Sequence, residues 1–165
     1  MAGREAMAIR DAVAAVVDPE IVVITIDELG ILRDVEVDDD GRTIITITPT
    51  YSGCPAMDMI RGRVAAAARD AGASAVEVRT VLAPAWTTDW ISESGRAKLA
   101  AAAIAPPATS ASGGAVPLGL PTVPVTCPRC GSRDTEELSR FGSTACKALW
   151  RCRACAEPFD YVKAF

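Results

Sequence analysis

Residues 42–71 read RTIITITPTYSGCPAMDMIRGRVAAAARDA, and this stretch decides the fold of the first half of the chain. Arg42 to Thr48 is a β-branched run after one arginine, the composition of a half-buried strand. Ala56 to Ala71 follows with Met57, Ile60, Val64, Ala67, Ala68 and Ala71 at helical spacing, and Gly72 is a natural stop. Between them, Thr48 to Pro55 (TPTYSGCP) carries one cysteine. Gly53 permits a sharp turn, and Pro55 suits the first helical position, which places Cys54 at the N-cap. Free N–H groups and the helix dipole there favour a thiolate, so a lowered thiol pKa is expected. Such a thiol suits soft-metal binding or nucleophilic work; the plainer reading is a buried cysteine.

Working outward, Ile31 to Val37 forms a strand with Ile31, Val35 and Val37 on one face, and the turn at Asp38-Asp39-Asp40-Gly41 makes a hairpin with the 42–48 strand. Val76 to Leu82 supplies a third strand. A first helix spans Arg4 to Val17, with Ala6, Ile9, Val13 and Val16 at helical spacing, and Asp18-Pro19-Glu20 stops it. These two carboxylates either lie near Cys54 or are a solvated helix stop. Ser92 to Ile104 reads as a last helix with Ser92 as N-cap. Trp86 and Trp90 either fold back on the sheet or form a partner patch. The expected class is α+β, a small three-stranded sheet with packed helices, followed by a four-cysteine zinc-ribbon module.

Composition separates the two parts. Residues 1–104 form the α+β domain, 105–124 (APPATSASGGAVPLGLPTVP) an uncharged proline- and glycine-rich linker, and 125–165 the module that holds five of the six cysteines. Cys127-Pro-Arg-Cys130 and Cys152-Arg-Ala-Cys155 are two C-x2-C knuckles. Two thiolates three residues apart can aim at one point about 2.3 Å away, and two such pairs close a tetrahedron. Structural zinc is the expected ion, with a rubredoxin-like iron or a bridging cluster as alternatives. A module of this size has too little core to fold alone, so metal binding would supply the missing folding energy. Such a closed site has no open position for catalysis. Cys146 is spare, either a small buried hydrophobe or a fifth ligand. Leu149, Trp150, Phe159, Tyr161 and Phe165 form either a partner surface or the module's own core.

The 165 residues contain no histidine. That removes Ser-His-Asp and Cys-His catalysis and the usual ligand of non-haem iron and catalytic zinc, and it argues against a self-sufficient enzyme. The net charge of −4 and pI near 4.9 argue against general nucleic-acid binding. Arg129, Lys147, Arg151 and Arg153 sit beside cysteines, where they offset thiolate charge or contact nucleic acid. The N-terminus lacks the apolar core of a signal peptide, and no apolar run is long enough to span a bilayer, so the expected place is the cytoplasm, where thiols stay reduced.

DPE at 18–20 and TPTYSGCP before a helix resemble the small domain of iron–sulfur cluster assembly factors, over roughly residues 5–82. With PAWTTDWISESGRAKL, the proline linker and the ribbon (CPRCGS, FGSTACKALWRC, CAEPFDY), the chain resembles over nearly its whole length the D-subunit family of ring-1,2-phenylacetyl-CoA epoxidases. The resemblance implies an accessory role in aerobic phenylacetate breakdown: maturing the metal centres of a multicomponent oxygenase. Its di-iron oxygenase or iron–sulfur reductase would be the partner, with no nucleic acid and no membrane. It also implies that Cys54, Asp18 and Glu20 handle iron or a transient iron–sulfur cluster, and that Cys127, Cys130, Cys152 and Cys155 bind the ribbon zinc. One thiol is too few for a stable cluster, so a homodimer or borrowed ligands would be needed. The competing reading is a purely structural docking component of the oxygenase complex.

Overall fold

A computed structural model describes residues 2–107 and 125–163. The elements are α1 (Ala2–Ala14), β1 (Leu32–Val37), β2 (Arg42–Ile47), α2 (Met57–Asp70), β3 (Ala75–Thr80), α3 (Glu93–Ala101), β4 (Ile104–Ala105), β5 (Thr135–Ser139), β6 (Lys147–Cys152) and β7 (Pro158–Val162). The class is α+β, with a three-stranded sheet and a four-stranded ribbon sheet.

In the first sheet β2 is central. It pairs antiparallel with β1, as the hairpin reading requires, and parallel with β3. A parallel neighbour needs a crossover, and α2 is that crossover. Thr43, Ile45 and Ile47 alternate onto one buried face of β2, where strict period-two patterning puts them. The matching stripe of α2 is Met57, Ile60, Val64 and Ala68. Fully burying one such isoleucine contributes about 1.5–3 kcal/mol. Val37 keeps its register opposite Thr43, as Val35 does opposite Ile45, but it is 45% exposed at the end of the edge strand β1. The register shift between Leu32 and Asp34 puts Leu32, opposite Ile47, in line with Val35 and Val37 in place of the expected Ile31. Helix α2 ends as expected. Gly72 takes φ +107°, and the Ala73 amide returns to the Ala68 carbonyl at 3.0 Å.

The chain divides into two compact units, residues 1–86 with 90–95, and residues 87–89 with 96–165. Contacts therefore part the chain near residue 95. The reason is local: Ile104 and Ala105 pair in parallel with Asp160 and Tyr161 of β7, giving the ribbon sheet the order β4-β7-β6-β5. Of the proline-rich stretch 105–124, residues 108–124 lie outside the described residues.

Both tryptophans of the 84–99 segment fold back on the first unit. Trp86 is buried and its indole N–H donates to the Leu29 carbonyl at 2.9 Å. Trp90 lies under the Arg33 guanidinium, 3.6 Å from the ring centroid. Gly30, at φ +78°, leaves room for it: a Cβ there would come within 2.6 Å of the Trp90 Cβ. Ser92 caps α3 by accepting the Gly95 amide at 3.0 Å.

Candidate functional site

The ribbon core is Val125, Cys127, Ala148, Trp150, Cys152, Phe159 and Ala105, with Tyr161 packed against it. Trp150 and Phe159 are thus interior, Leu149 is half-buried, and Phe165 lies outside the described residues. Two tight turns present the cysteines. The first is closed by Gly131 N–H to the Cys127 carbonyl at 3.0 Å, and the second strand end by Cys152 N–H to the Glu157 carbonyl at 2.9 Å. All four sulfurs lie within 4.8 Å of one another. Cys130 and Cys152 are 3.5 Å apart, and Cys127 and Cys155 are 3.9 Å apart. A tetrahedron with bonds of about 2.3 Å to sulfur has edges of roughly 3.8 Å, so the spacing fits a single tetrahedral ion.

Cys152 and Cys130 shift in opposite directions. Cys152 is brought down to about 7, chiefly because the Cys155 backbone N–H donates to it, while Cys130 is pushed up to about 12. At Cys130 the Ser132 amide pulls the other way but is outweighed by the sharing of protons with Cys152 and its neighbours and by burial. A metal replaces these shared protons. Arg151 and Arg153 do not converge on the sulfurs but clamp Glu136.

Cys146 stands outside the four-sulfur group. It is buried, with its sulfur 3.1 Å from the Thr144 hydroxyl. Its neighbour Lys147 is also buried and is neutralised by Asp160 at 3.0 Å.

In the first unit the thiol sits differently from the expectation. Helix α2 begins at Met57, and its N-cap is Ala56, which makes no side-chain cap. Cys54 therefore lies two residues before the N-cap, in a turn where its amide donates to the Tyr51 carbonyl at 3.2 Å. The turn forms without a left-handed φ at Gly53. The thiol is half-buried, and its pKa is raised rather than lowered. Burial is the largest cause, and the Glu20 and Asp18 carboxylates add to it. The Ala56 and Met57 amides pull the other way without winning. The dipole expectation fails because the thiol lies before the N-cap, is half-buried and has two carboxylates acting on it.

Asp18 is 4% exposed. One of its oxygens, Oδ1, accepts the Glu20 amide at 2.9 Å and the Ile21 amide at 2.7 Å. A backbone bridge between Val17 and Thr25 closes this loop. Burial raises the Asp18 pKa against those two amides, and Arg63 offsets part of the rise. The structure thus brings Asp18 and Glu20 into electrostatic reach of Cys54. Among the described residues the three do not close into a preformed metal-binding group.

Sequence reading passed over two residues here. Arg63 on α2 reaches the Val17 carbonyl at 3.4 Å and acts on Asp18; it sits six residues into a helix and carries no motif. Thr48 is 1% exposed, and its hydroxyl has no hydrogen-bond partner. It falls one step off the Thr43, Ile45, Ile47 alternation, just past the end of β2, so the period gave no signal for its burial.

Known proteins show the same two-part layout. Residues 7–80 match a family described as iron-sulfur cluster assembly protein, and residues 112–163 match the PaaD zinc beta ribbon domain. The putative D component of the 1,2-phenylacetyl-CoA epoxidase of Escherichia coli K12 is 48% identical over 88% of this chain and 85% of its own length. The chain belongs to the PaaD family. The first half is also 42% identical to the Fe-S protein maturation auxiliary factor YitW of Bacillus subtilis, over 51% of this chain and 82% of that protein. The solved DUF59 domain from Bacillus anthracis matches with a TM-score of 0.53 and 27% identity, over 59% of this chain and 92% of that one. This PaaD-family chain thus joins an assembly-factor fold to a four-cysteine ribbon. Among the described residues no helix is long and apolar enough to cross a membrane.

Proposed function

We propose that the chain is an accessory component of a 1,2-phenylacetyl-CoA epoxidase that matures or delivers the enzyme's iron or iron–sulfur centres. Cys54 is the residue that handles the cargo, and zinc in the ribbon is structural. The di-iron oxygenase or its iron–sulfur reductase is the receiving component. The observation that carries this reading is the contrast between two kinds of cysteine in one chain. Four sulfurs satisfy one another's geometry around a closed tetrahedron. Cys54 is half-buried among carboxylates, with no complete ligand set. A closed set of thiolates holds its ion and has no open position for exchange. One thiol beside hard oxygen donors binds iron incompletely, and an incomplete site releases what it takes up. The likeness to the epoxidase component of Escherichia coli, and the maturation-factor relatives of the first half, support the same direction.

The test is metal and acid-labile sulfide analysis of anaerobically purified protein, wild type beside Cys54→Ser, with the iron content of the epoxidase components from the same cells. One zinc per chain in both proteins, iron and sulfide lost only in the variant, and iron-poor epoxidase would support delivery. Normal epoxidase iron in cells carrying the variant would sink it, and would leave a docking component without metal transfer.

A further inference from the structure

Two arginines stand two positions apart on α2, and their guanidiniums are used differently. Arg61 is fully engaged: it pairs with Asp58 at 3.0 Å and forks onto the Thr80 hydroxyl at 3.1 and 2.8 Å. Arg63 makes one long hydrogen bond, to the Val17 carbonyl at 3.4 Å, and among the described residues it closes no salt bridge. That bond brings a cation to the start of the loop that carries Asp18 and Glu20. The loop is closed on itself. The Asp18 amide donates to the Ile24 carbonyl at 3.0 Å, the Ile26 amide donates to the Val16 carbonyl at 2.9 Å, and Val17 bridges Thr25. A charge held at Val17 is therefore held beside Asp18. The Asp18 carboxylate is itself half-engaged. Oδ1 accepts both loop amides, while Oδ2 accepts none among the described residues and stays open to water.

The groups form one chain of influence. Arg63 acts on Asp18, and Asp18 and Glu20 act on Cys54. A metal cation taken up by the thiol and these oxygens would itself hold the carboxylates ionised. What Arg63 adds at that moment is repulsion, because like charges oppose each other most where water is partly excluded. Arg61, neutralised by Asp58, cannot act in this way. We propose that Arg63 is the release residue of the Cys54 site, a fixed cation beside Asp18 that weakens the hold on a ferrous ion and so favours passing the ion on. The proposal rests on Cys54 being the residue that handles the cargo. Arg63 touches neither the thiol nor the ion in this role; it works through the carboxylate.

The test uses the full chain with zinc in its ribbon, kept free of air at low salt and at about pH 8, where protons compete least for the thiol. Cobalt(II) is the probe ion. Thiolate-to-cobalt absorption that Cys54→Ser removes reports binding at Cys54. Arg63→Gln keeps an N–H donor for the Val17 carbonyl and removes the charge. Arg63→Lys keeps the charge and loses the fork. The glutamine variant should bind cobalt about three- to tenfold more tightly and give it up to a chelator correspondingly more slowly, while the lysine variant should match wild type. The difference should shrink as salt is raised to about 0.5 M, because screening acts on charge and not on shape. Equal or weaker binding by the glutamine variant, or a lysine variant that behaves like it, would show that Arg63 only props the loop; that would overturn the proposal and leave Cys54 its role. Absence of any Cys54-dependent absorption in all of the proteins would overturn the role of Cys54 and the proposal together.

Discussion

The two halves of this chain handle the same chemical group in opposite ways. In the ribbon, four thiols converge within 4.8 Å and share protons, which brings Cys152 down to about 7 and pushes Cys130 up to about 12. In the first unit, one thiol is pushed up by burial and by two carboxylates. The carboxylates differ in the same sense. Asp160 of the ribbon faces the buried Lys147 at 3.0 Å. Asp18 of the first unit is held by two backbone amides, with Arg63 acting at longer range. The ribbon satisfies its charges internally. The first unit keeps an electrostatic imbalance around Cys54, and a fold gains nothing from that imbalance by itself.

Metal removal should separate the halves most sharply. Among the described residues the ribbon core is seven residues, four of them alanine or cysteine, which is too little for independent stability. Chelation, or Cys152→Ala, should abolish ribbon structure, seen as loss of the dispersed amide signals of β5–β7. The signals of β1–β3 should persist, since their core holds Ile45, Ile47, Ile60 and Val64 at 0% exposure. Loss of both sets together would show that the two halves do not stand apart energetically.

Asp160→Asn comes next. It leaves Lys147 buried without its counter-charge and should cost about 2–3 kcal/mol in the ribbon, read as a fall in the denaturant midpoint. A change within error would mean that the pair, which Ser143 also joins at 3.3 Å, is solvated enough to be dispensable.

How much of this was legible before the structure follows from the kind of signal each residue carries. The Thr43–Ile47 alternation and the Met57–Ala68 stripe fix strand, helix and buried face directly, because burial reads period and little else. The C-x2-C pairs fix the metal site, because the spacing is itself the geometry. Asp18 and Glu20 near Cys54 were one of two open readings, but the direction of the Cys54 pKa shift was not legible. Its pKa depends on where α2 starts, a matter of two residues, and on the carboxylates of a loop more than thirty positions earlier. Helix starts carry little sequence signal when the N-cap is an alanine. The pairing of Ile104 with Asp160 was hidden for the same reason: a two-residue strand has no period to read.

Asp18→Asn tests whether the imbalance in the first unit is structural. Asparagine keeps an oxygen for the Glu20 and Ile21 amides and removes the buried charge. Burial raises the folded pKa of Asp18 above its ordinary 3.8, so the protonated form is the one the fold favours. That stabilising contribution is full below the ordinary value and is lost as pH rises through the raised one. At neutral pH the variant should therefore melt at the same temperature or a few degrees higher, the scale on which about 1 kcal/mol moves a domain of this size. The gap should close as pH falls towards 4. A variant that melts several degrees lower at every pH would show that the carboxylate serves the fold after all.

The smallest effect is the most specific to Cys54. Glu20 is the first of the two carboxylates that hold its thiol protonated. Glu20→Gln removes one charge without removing the side chain, so the thiolate should form at lower pH. Alkylation of Cys54 by iodoacetamide at pH 8, followed residue by residue in the metal-loaded protein, should then run about two- to threefold faster, the scale of one partly screened charge. In wild type the same rate should climb with pH beyond the range where an ordinary thiol has levelled off, because the raised pKa keeps the thiolate scarce until then. The ribbon cysteines, bound to their ion, should not change rate with Glu20. An unchanged Cys54 rate in the variant would leave burial and Asp18 as the causes, and Glu20 would then have no hold on the thiol.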